Sequence, residues 1–164
     1  MHYLALLPSL ITSVVLSIID VQTRTVPRVL VSAGVCAQIL VFLAFDSSAE
    51  GLIRCGAGLA QGLAAGGIQL MLCLLLPTAI GLGDAHDAVL LGLAVGYWRG
   101  IVGIALWWFL MGALGVAALG AWRLSEHQMR RRHGEGHGYG HNLARGIPFV
   151  PVMSIAAAIS VVVG

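Results

Sequence analysis

Long apolar runs, separated by short polar links, make up most of the chain. A membrane-spanning helix needs roughly 20 mostly apolar residues, with a range of about 17–25. By this measure the pattern predicts an all-α membrane protein, a polytopic bundle of about six transmembrane helices. Their approximate ranges are 3–19, 29–45, 56–80, 84–97, 100–122 and 147–164. The fourth range is short for a full crossing.

The composition favours lipid over water as the solvent of this chain. Of its 164 residues, 59% are hydrophobic and only 10% are charged. A soluble domain of this length normally has a surface far richer in charge. No basic segment precedes the first apolar run, and similar runs recur to the C-terminus, which disfavours a secretory signal. We therefore expect a single transmembrane domain over residues 1–164, with a polar cytoplasmic loop at about 123–146.

The arginines predict how the bundle is oriented. All nine basic residues are arginines, and seven of them follow the first and fifth predicted helices. Only Arg54 and Arg99 fall on the opposite side. Loops rich in basic residues stay in the cytoplasm, so we expect both termini outside. Under this topology Asp20 and Asp84 lie at one membrane depth, on the cytoplasmic side.

These two aspartates are the main candidates for chemistry. An ionisable group at the edge of the hydrocarbon usually faces protein or a water-filled cavity. A carboxylate also suits a helix N-terminus, so Asp20 and Asp84 can equally be residues that end or begin helices. Gly81 and Gly83, around Leu82, leave room for an extended peptide to approach. Two carboxylates that share a proton would supply the acid and the base that peptide hydrolysis requires.

Three short segments resemble one family. Residues 81–84, GLGD, look like the GxGD signature of aspartic intramembrane proteases. Residues 20–28, DVQTRTVPR, resemble the segment after the first catalytic aspartate of type IV prepilin peptidases. Residues 145–151, RGIPFVP, resemble the segment that opens the last helix of that family. The short form is similar to the peptidases of tight-adherence (Flp) pilus systems and to archaeal preflagellin peptidases.

The resemblance implies roles for particular residues. It makes Asp20 and Asp84 the catalytic pair. His86 stands where the family often has lysine, and Asp87 either competes with Asp84 or supports it. The positions expected in the motif or near the substrate are Gly81, Gly83, His86, Asp87, Arg24, Pro27 and Pro148.

The implied activity is that of an aspartic endopeptidase. It would hydrolyse one peptide bond of a type IV (Flp-like) prepilin and remove the short basic leader at the cytoplasmic face of the cell membrane. The expected partners are that prepilin and the lipid bilayer, with no nucleic acid, and a homo-oligomer stays open. We expect no cofactor and no methylation of the new N-terminus, because nothing in the chain resembles a cofactor site.

Other interpretations of the same residues stay open. A small membrane transporter coupled to protons or cations would also place Asp20 and Asp84 in its helices, although no convincing internal repeat is present. An inactive scaffold of the same fold is disfavoured by the retention of both aspartates. The histidines at 133, 137 and 141 lie among glycines that disfavour a helix, so no metal site is expected. Cys36, Cys55 and Cys73 lack CxxC spacing and are expected to be packing residues.

Overall fold

A computed structural model describes residues 5–23, 26–75, 81–133 and 149–163. The elements are α1 (Leu7–Thr23), α2 (Arg28–Phe45), α3 (Ala49–Leu75), α4 (Leu82–His133) and α5 (Val150–Val163). The predicted all-α class is confirmed for this part of the chain. Three of the described helices are long and apolar enough to cross a membrane, namely Arg28–Phe45, Ala49–Leu75 and Leu82–Ala121. The remaining two, α1 and α5, are apolar but shorter.

The described bundle has an apolar exterior and polar groups inside it. Val29 is 84% exposed and Val163 is 74% exposed, whereas Gln38 and Gln69 are almost completely buried. Large exposed apolar surfaces of this kind are rare on soluble monomers and mark contact with a membrane or a partner. The distribution therefore agrees with the membrane location that the composition predicts.

Helix α4 contains a break at Gly100, where φ is 61° and ψ is −152°. Glycine adopts this positive φ without steric cost. Three contacts show how α5 runs along α4. Before the break, Leu90 shares a cluster with Val150, and Arg99 Nη2 donates to Val161 O (3.1 Å). After the break, Trp107 Nε1 donates to Met153 O (3.1 Å). Helix α5 therefore runs parallel to residues 82–99 and antiparallel to the stretch that follows Gly100. The chain turns back at Gly100, which is where the sequence predicts the fourth helix to give way to the fifth.

Two helix boundaries differ most from the predicted ones. Helix α3 begins at Ala49, not near 56, because Ser48 caps it: its Oγ accepts from the Gly51 N–H (3.0 Å). Ser48 also donates from N and from Oγ to Asp46, and these bonds hold the pKa of that carboxyl below its usual range. Helix α4 continues to His133, through the first part of the predicted loop, since RLSEHQMRRRH contains no glycine or proline.

Three glycines spaced four apart bring α3 against the first half of α4. They are Gly58, Gly62 and Gly66. A Cβ atom added to Gly62 would lie 2.6 Å from the Val89 carbonyl oxygen and 2.7 Å from Leu93 N. Such distances mean that the two helix backbones are in contact, as small residues allow in membranes. This close pairing holds the first half of α4, whose first turn contains Asp84, against α3.

Candidate active site

The last turn of α1 and the first turn of α4 place three aspartates together. Asp20 and Asp84 are each 7% exposed, and Asp87 is completely buried. Asp20 lies close enough to interact electrostatically with both Asp84 and Asp87. Two carboxylates that are 64 positions apart in sequence therefore lie near each other at one end of the bundle.

Asp84 has its side chain held by the start of its own helix. The Gly81 N–H donates to Asp84 Oδ2 (3.0 Å), and the Asp84 N–H donates to the Gly81 carbonyl (3.1 Å). The first of these bonds corresponds to the acidic half of a capping box, and the second is the backbone bond of the first turn. Asp84 thus stabilises the helix start, and the same hydrogen bond fixes the rotation of its carboxylate. Asp84 can therefore both begin a helix and present a carboxylate for chemistry, which are the two roles that the sequence left open.

The segment after Asp20 packs directly on the segment before Asp84. A Cβ atom added to Gly83 would lie 2.5 Å from Val26 Cβ and 2.6 Å from its Cγ2 methyl. Val26 precedes Pro27, which forms the N-cap of α2 with φ −68° and ψ 114°. A proline also disfavours helical backbone at the residue before it, so Pro27 favours an extended Val26 and helps to direct its side chain onto Gly83. The two segments that resemble the family are therefore in physical contact.

A small apolar cluster closes the inner side of the aspartate group. Its buried members come from four helices: Leu16 of α1, Val31 of α2, Leu90 of α4 and Val150 of α5. Leu16 lies one turn before Asp20, and Leu90 lies one turn after Asp87. The aspartates are thus bounded by hydrocarbon toward the bundle centre, while Gly81 and Leu82 are exposed on the outer side. Water and an extended peptide would approach from that outer side.

The other predicted site residues differ in their placement. His86 is only partly buried, and its Nδ1 donates to the Leu82 carbonyl (2.9 Å). Asp87 faces inward, and neither of its carboxylate oxygens has a hydrogen-bond partner within the described residues. Pro27 is exposed at the start of α2. Arg24 and Pro148 lie outside the described residues.

Val26 is a site residue that the sequence interpretation missed. Its signal was its place between Asp20 and Pro27, in the segment that resembles the family. That signal could not identify the partner of Val26, because the contact with Gly83 depends on how α2 and α4 start relative to each other.

Within the described ranges, no group of three or more His, Cys, Asp or Glu residues is arranged to hold a metal ion. None of the three cysteines forms a disulfide with another described residue; Cys36 is exposed, and both Cys55 and Cys73 are buried. His137 and His141, in the glycine-rich segment, lie outside the described residues.

The fold and the site together define an all-helical protein with an apolar exterior and a carboxylate group at one end. The model of the type IV leader peptidase family matches residues 7–117. Because the match covers more than half of the chain, the protein belongs to this family. Neither a curated protein nor a solved structure matches the chain. Family membership makes it a protease that acts on a protein substrate, and the apolar helices make it a membrane protein.

Proposed function

We propose that the chain is an aspartic endopeptidase that removes the basic leader from type IV (Flp-like) prepilins, with Asp20 and Asp84 as its catalytic pair. The observation that carries the proposal is that these two carboxylates, both buried, lie near enough at one end of the bundle to interact electrostatically. The family match, which contains both residues and the GLGD segment, supports the same assignment.

The pair would work by sharing one proton. Like charges held close together cannot both ionise easily, so one carboxyl stays neutral while the other is charged. The ionised member takes a proton from water, whose oxygen attacks the scissile carbonyl, and the neutral member donates its proton to the carbonyl oxygen. Collapse of the tetrahedral intermediate then sends a proton to the leaving nitrogen. The hydrogen bond from Gly81 would hold Asp84 in one orientation throughout.

Six membrane passes are part of the proposal. The six helical stretches are α1, α2, α3, residues 82–99, the remainder of α4, and α5. With the arginine-rich segments in the cytoplasm, the end that carries Asp20 and Asp84 faces the cytoplasm and both termini face outward. A leader that precedes the hydrophobic helix of a prepilin would reach the aspartates from that side of the cell membrane.

A cleavage assay in membranes tests the proposal. The chain is co-expressed with a short candidate prepilin from the same genome, and leader removal is followed by gel mobility and mass. Asp20→Asn and Asp84→Asn should each lower the cleavage rate by about 100-fold or more, since each removes one half of the acid–base pair. The matched control is Asp46→Asn, a carboxyl at the opposite end of the bundle, which should cleave at the wild-type rate.

Each contrary result has a defined meaning. Cleavage that survives Asp84→Asn would remove that residue from the catalytic pair. If the wild type cuts no prepilin but moves protons or cations in a way that depends on Asp20 and Asp84, the transporter interpretation replaces the protease.

A further inference from the structure

Asp87 is a buried acid that the proposed catalytic pair does not use. Its side chain is completely buried, and neither carboxylate oxygen has a hydrogen-bond partner among the described residues. Burying an ionised carboxylate without a partner is strongly unfavourable, whereas a buried neutral carboxyl needs only a partner for its hydrogen. Such a group requires an explanation other than packing, because an apolar residue of similar size would fill the space without that cost.

The surroundings of Asp87 contain acids and hydrocarbon. It lies three residues after Asp84, one turn along α4, and it interacts electrostatically with Asp84 and with Asp20. Leu90 and Leu91, both fully buried, follow it on the inner side. Within the described residues, the packed helices carry five other ionisable groups at this end. They are Asp20 on α1, the exposed Arg28 on α2, Cys73 on α3, and Asp84 and the partly exposed His86 on α4. Helix α5 contains no ionisable side chain.

We propose that Asp87 is a positioning residue of the proteolytic site, a neutral carboxyl that donates its proton in a hydrogen bond to the Asp84 carboxylate during cleavage. This rests on the function proposed above. Asp84 Oδ2 already accepts from Gly81, so Oδ1 is the acceptor. The bond would form by rotation of the Asp87 side chain or through one water molecule. The proton stays on Asp87, so the hydrolysis consumes one water and nothing else.

Two other roles predict different behaviour. A catalytic acid must reach the scissile bond, whereas Asp87 lies one turn further in than Asp84, next to the apolar cluster. A residue that only fills space is replaceable by an apolar side chain, and a buried polar group replaced in this way is often neutral or stabilising. The proposed donor tolerates asparagine, whose amide also donates a hydrogen bond, but it does not tolerate leucine.

The kinetic test compares Asp87→Asn with Asp87→Leu in the prepilin cleavage assay across a range of pH. Asp87→Asn should keep kcat within about 3-fold near neutral pH and stay active to higher pH than the wild type, because its amide cannot lose the donor proton. Asp87→Leu should lower kcat by about 100-fold with little change in KM, the loss expected for one preorganised donor. Ser160→Ala removes a different fully buried polar group, a hydroxyl near the far end of α5, and should change neither parameter.

An infrared measurement tests the proton without any substrate. The purified wild-type protein should show a carbonyl stretch of a protonated carboxyl that disappears in Asp87→Asn but persists in Asp20→Asn and in Asp84→Asn, which separates it from the shared proton of the pair. If the band is present but the wild type cleaves no prepilin, the proposed function fails while the neutral state of Asp87 stands.

Three results would overturn the proposal. They are the absence of the band from the wild type, wild-type kcat in Asp87→Leu, and an alkaline limit of Asp87→Asn that coincides with that of the wild type. If Asp87→Leu elutes as an aggregate in gel filtration, the pH profile and the spectrum of Asp87→Asn decide alone.

Discussion

The two glycines of the GLGD segment serve different physical purposes. Gly81 supplies the backbone N–H that orients Asp84, and a Cβ atom there would lie 3.7 Å from Asp84 Oδ2, which is ordinary contact. Gly83 supplies space, because a Cβ atom there would overlap Val26. At Gly81 the backbone N–H matters more than the lack of a side chain. At Gly83 the lack of a side chain is what matters.

Alanine at the two positions should therefore have unequal effects. Gly83→Ala should reduce prepilin cleavage by at least about 10-fold, since overpacking at a tight contact costs about 1–3 kcal/mol and here moves Asp84 against Asp20. Gly81→Ala should cleave within about 3-fold of wild type, because its Cβ meets no atom closer than ordinary contact. Both are measured in the membrane cleavage assay at equal expression.

Relief of the overlap provides the control for that comparison. Val26→Gly should restore part of the activity to Gly83→Ala, because it removes the atoms that the new Cβ would meet. Equal activities of Gly81→Ala and Gly83→Ala would contradict the assigned roles.

At the level of single residues, the sequence predicts identities better than contacts. Asp20, Asp84 and both glycines were recognisable because they lie in short segments with family spacing. The packing of Val26 and the complete burial of Asp87 depend on the crossing of α1, α2 and α4. Spacing along one helix carries no information about that crossing.

At the level of helices, α3 and the first half of α4 form the tightest pair. The glycines of α3 that face α4 have no space for a side chain, whereas Gly67, the neighbour of Gly66, has no atom within 4 Å of an added Cβ. Helix α3 therefore carries glycines that contact α4 closely and a glycine, Gly67, that has open space around it. Close backbone contact is the main source of attraction between helices in lipid, where apolar burial adds little.

This difference gives a stability prediction. Gly62→Ala should destabilise the protein by about 1–3 kcal/mol, because its Cβ would meet backbone atoms of α4. Gly67→Ala should be neutral or stabilising by up to about 1 kcal/mol, since alanine is the better helix former. Thermal unfolding in detergent, followed by circular dichroism, measures both. A lower Tm for Gly67→Ala than for Gly62→Ala would refute the proposed interface.

Apolar periodicity predicts where the helices lie, while their ends follow local chemistry. The capping of α3 by Ser48 and the uninterrupted helix formers after residue 122 each moved a boundary. The reversal at Gly100 agreed with the sequence because a glycine stands between two apolar runs. How α5 lies against both parts of α4 could not be predicted, since it rests on contacts such as Arg99 with Val161.

At the scale of the whole molecule, buried polar groups lie at several positions along the length of the bundle. The serines of α1 and α5 pair across their interface, with Ser13 Oγ 2.5 Å from Ser154 Oγ. Gln38 joins α2 to the start of α1 by accepting from Ser9 N (2.9 Å) and donating to Ala5 O (2.6 Å). These bonds satisfy polar groups where lipid offers none. The aspartate group lies at the end where α1 finishes and α4 begins. The side of the membrane that this end faces therefore decides which substrates can reach the aspartates.

The orientation is testable with single cysteines in a chain whose Cys36, Cys55 and Cys73 are replaced by alanine. Ser47→Cys, exposed between α2 and α3, should react with a membrane-impermeant maleimide in intact cells. Asn142→Cys, in the arginine-flanked segment, should react only after the membrane is opened, because basic segments stay in the cytoplasm. The reverse labelling pattern would place Asp20 and Asp84 on the outer side, where a leader at the cytoplasmic face cannot reach them. That result would remove the prepilin substrate from the proposal but would leave the carboxylate pair in place.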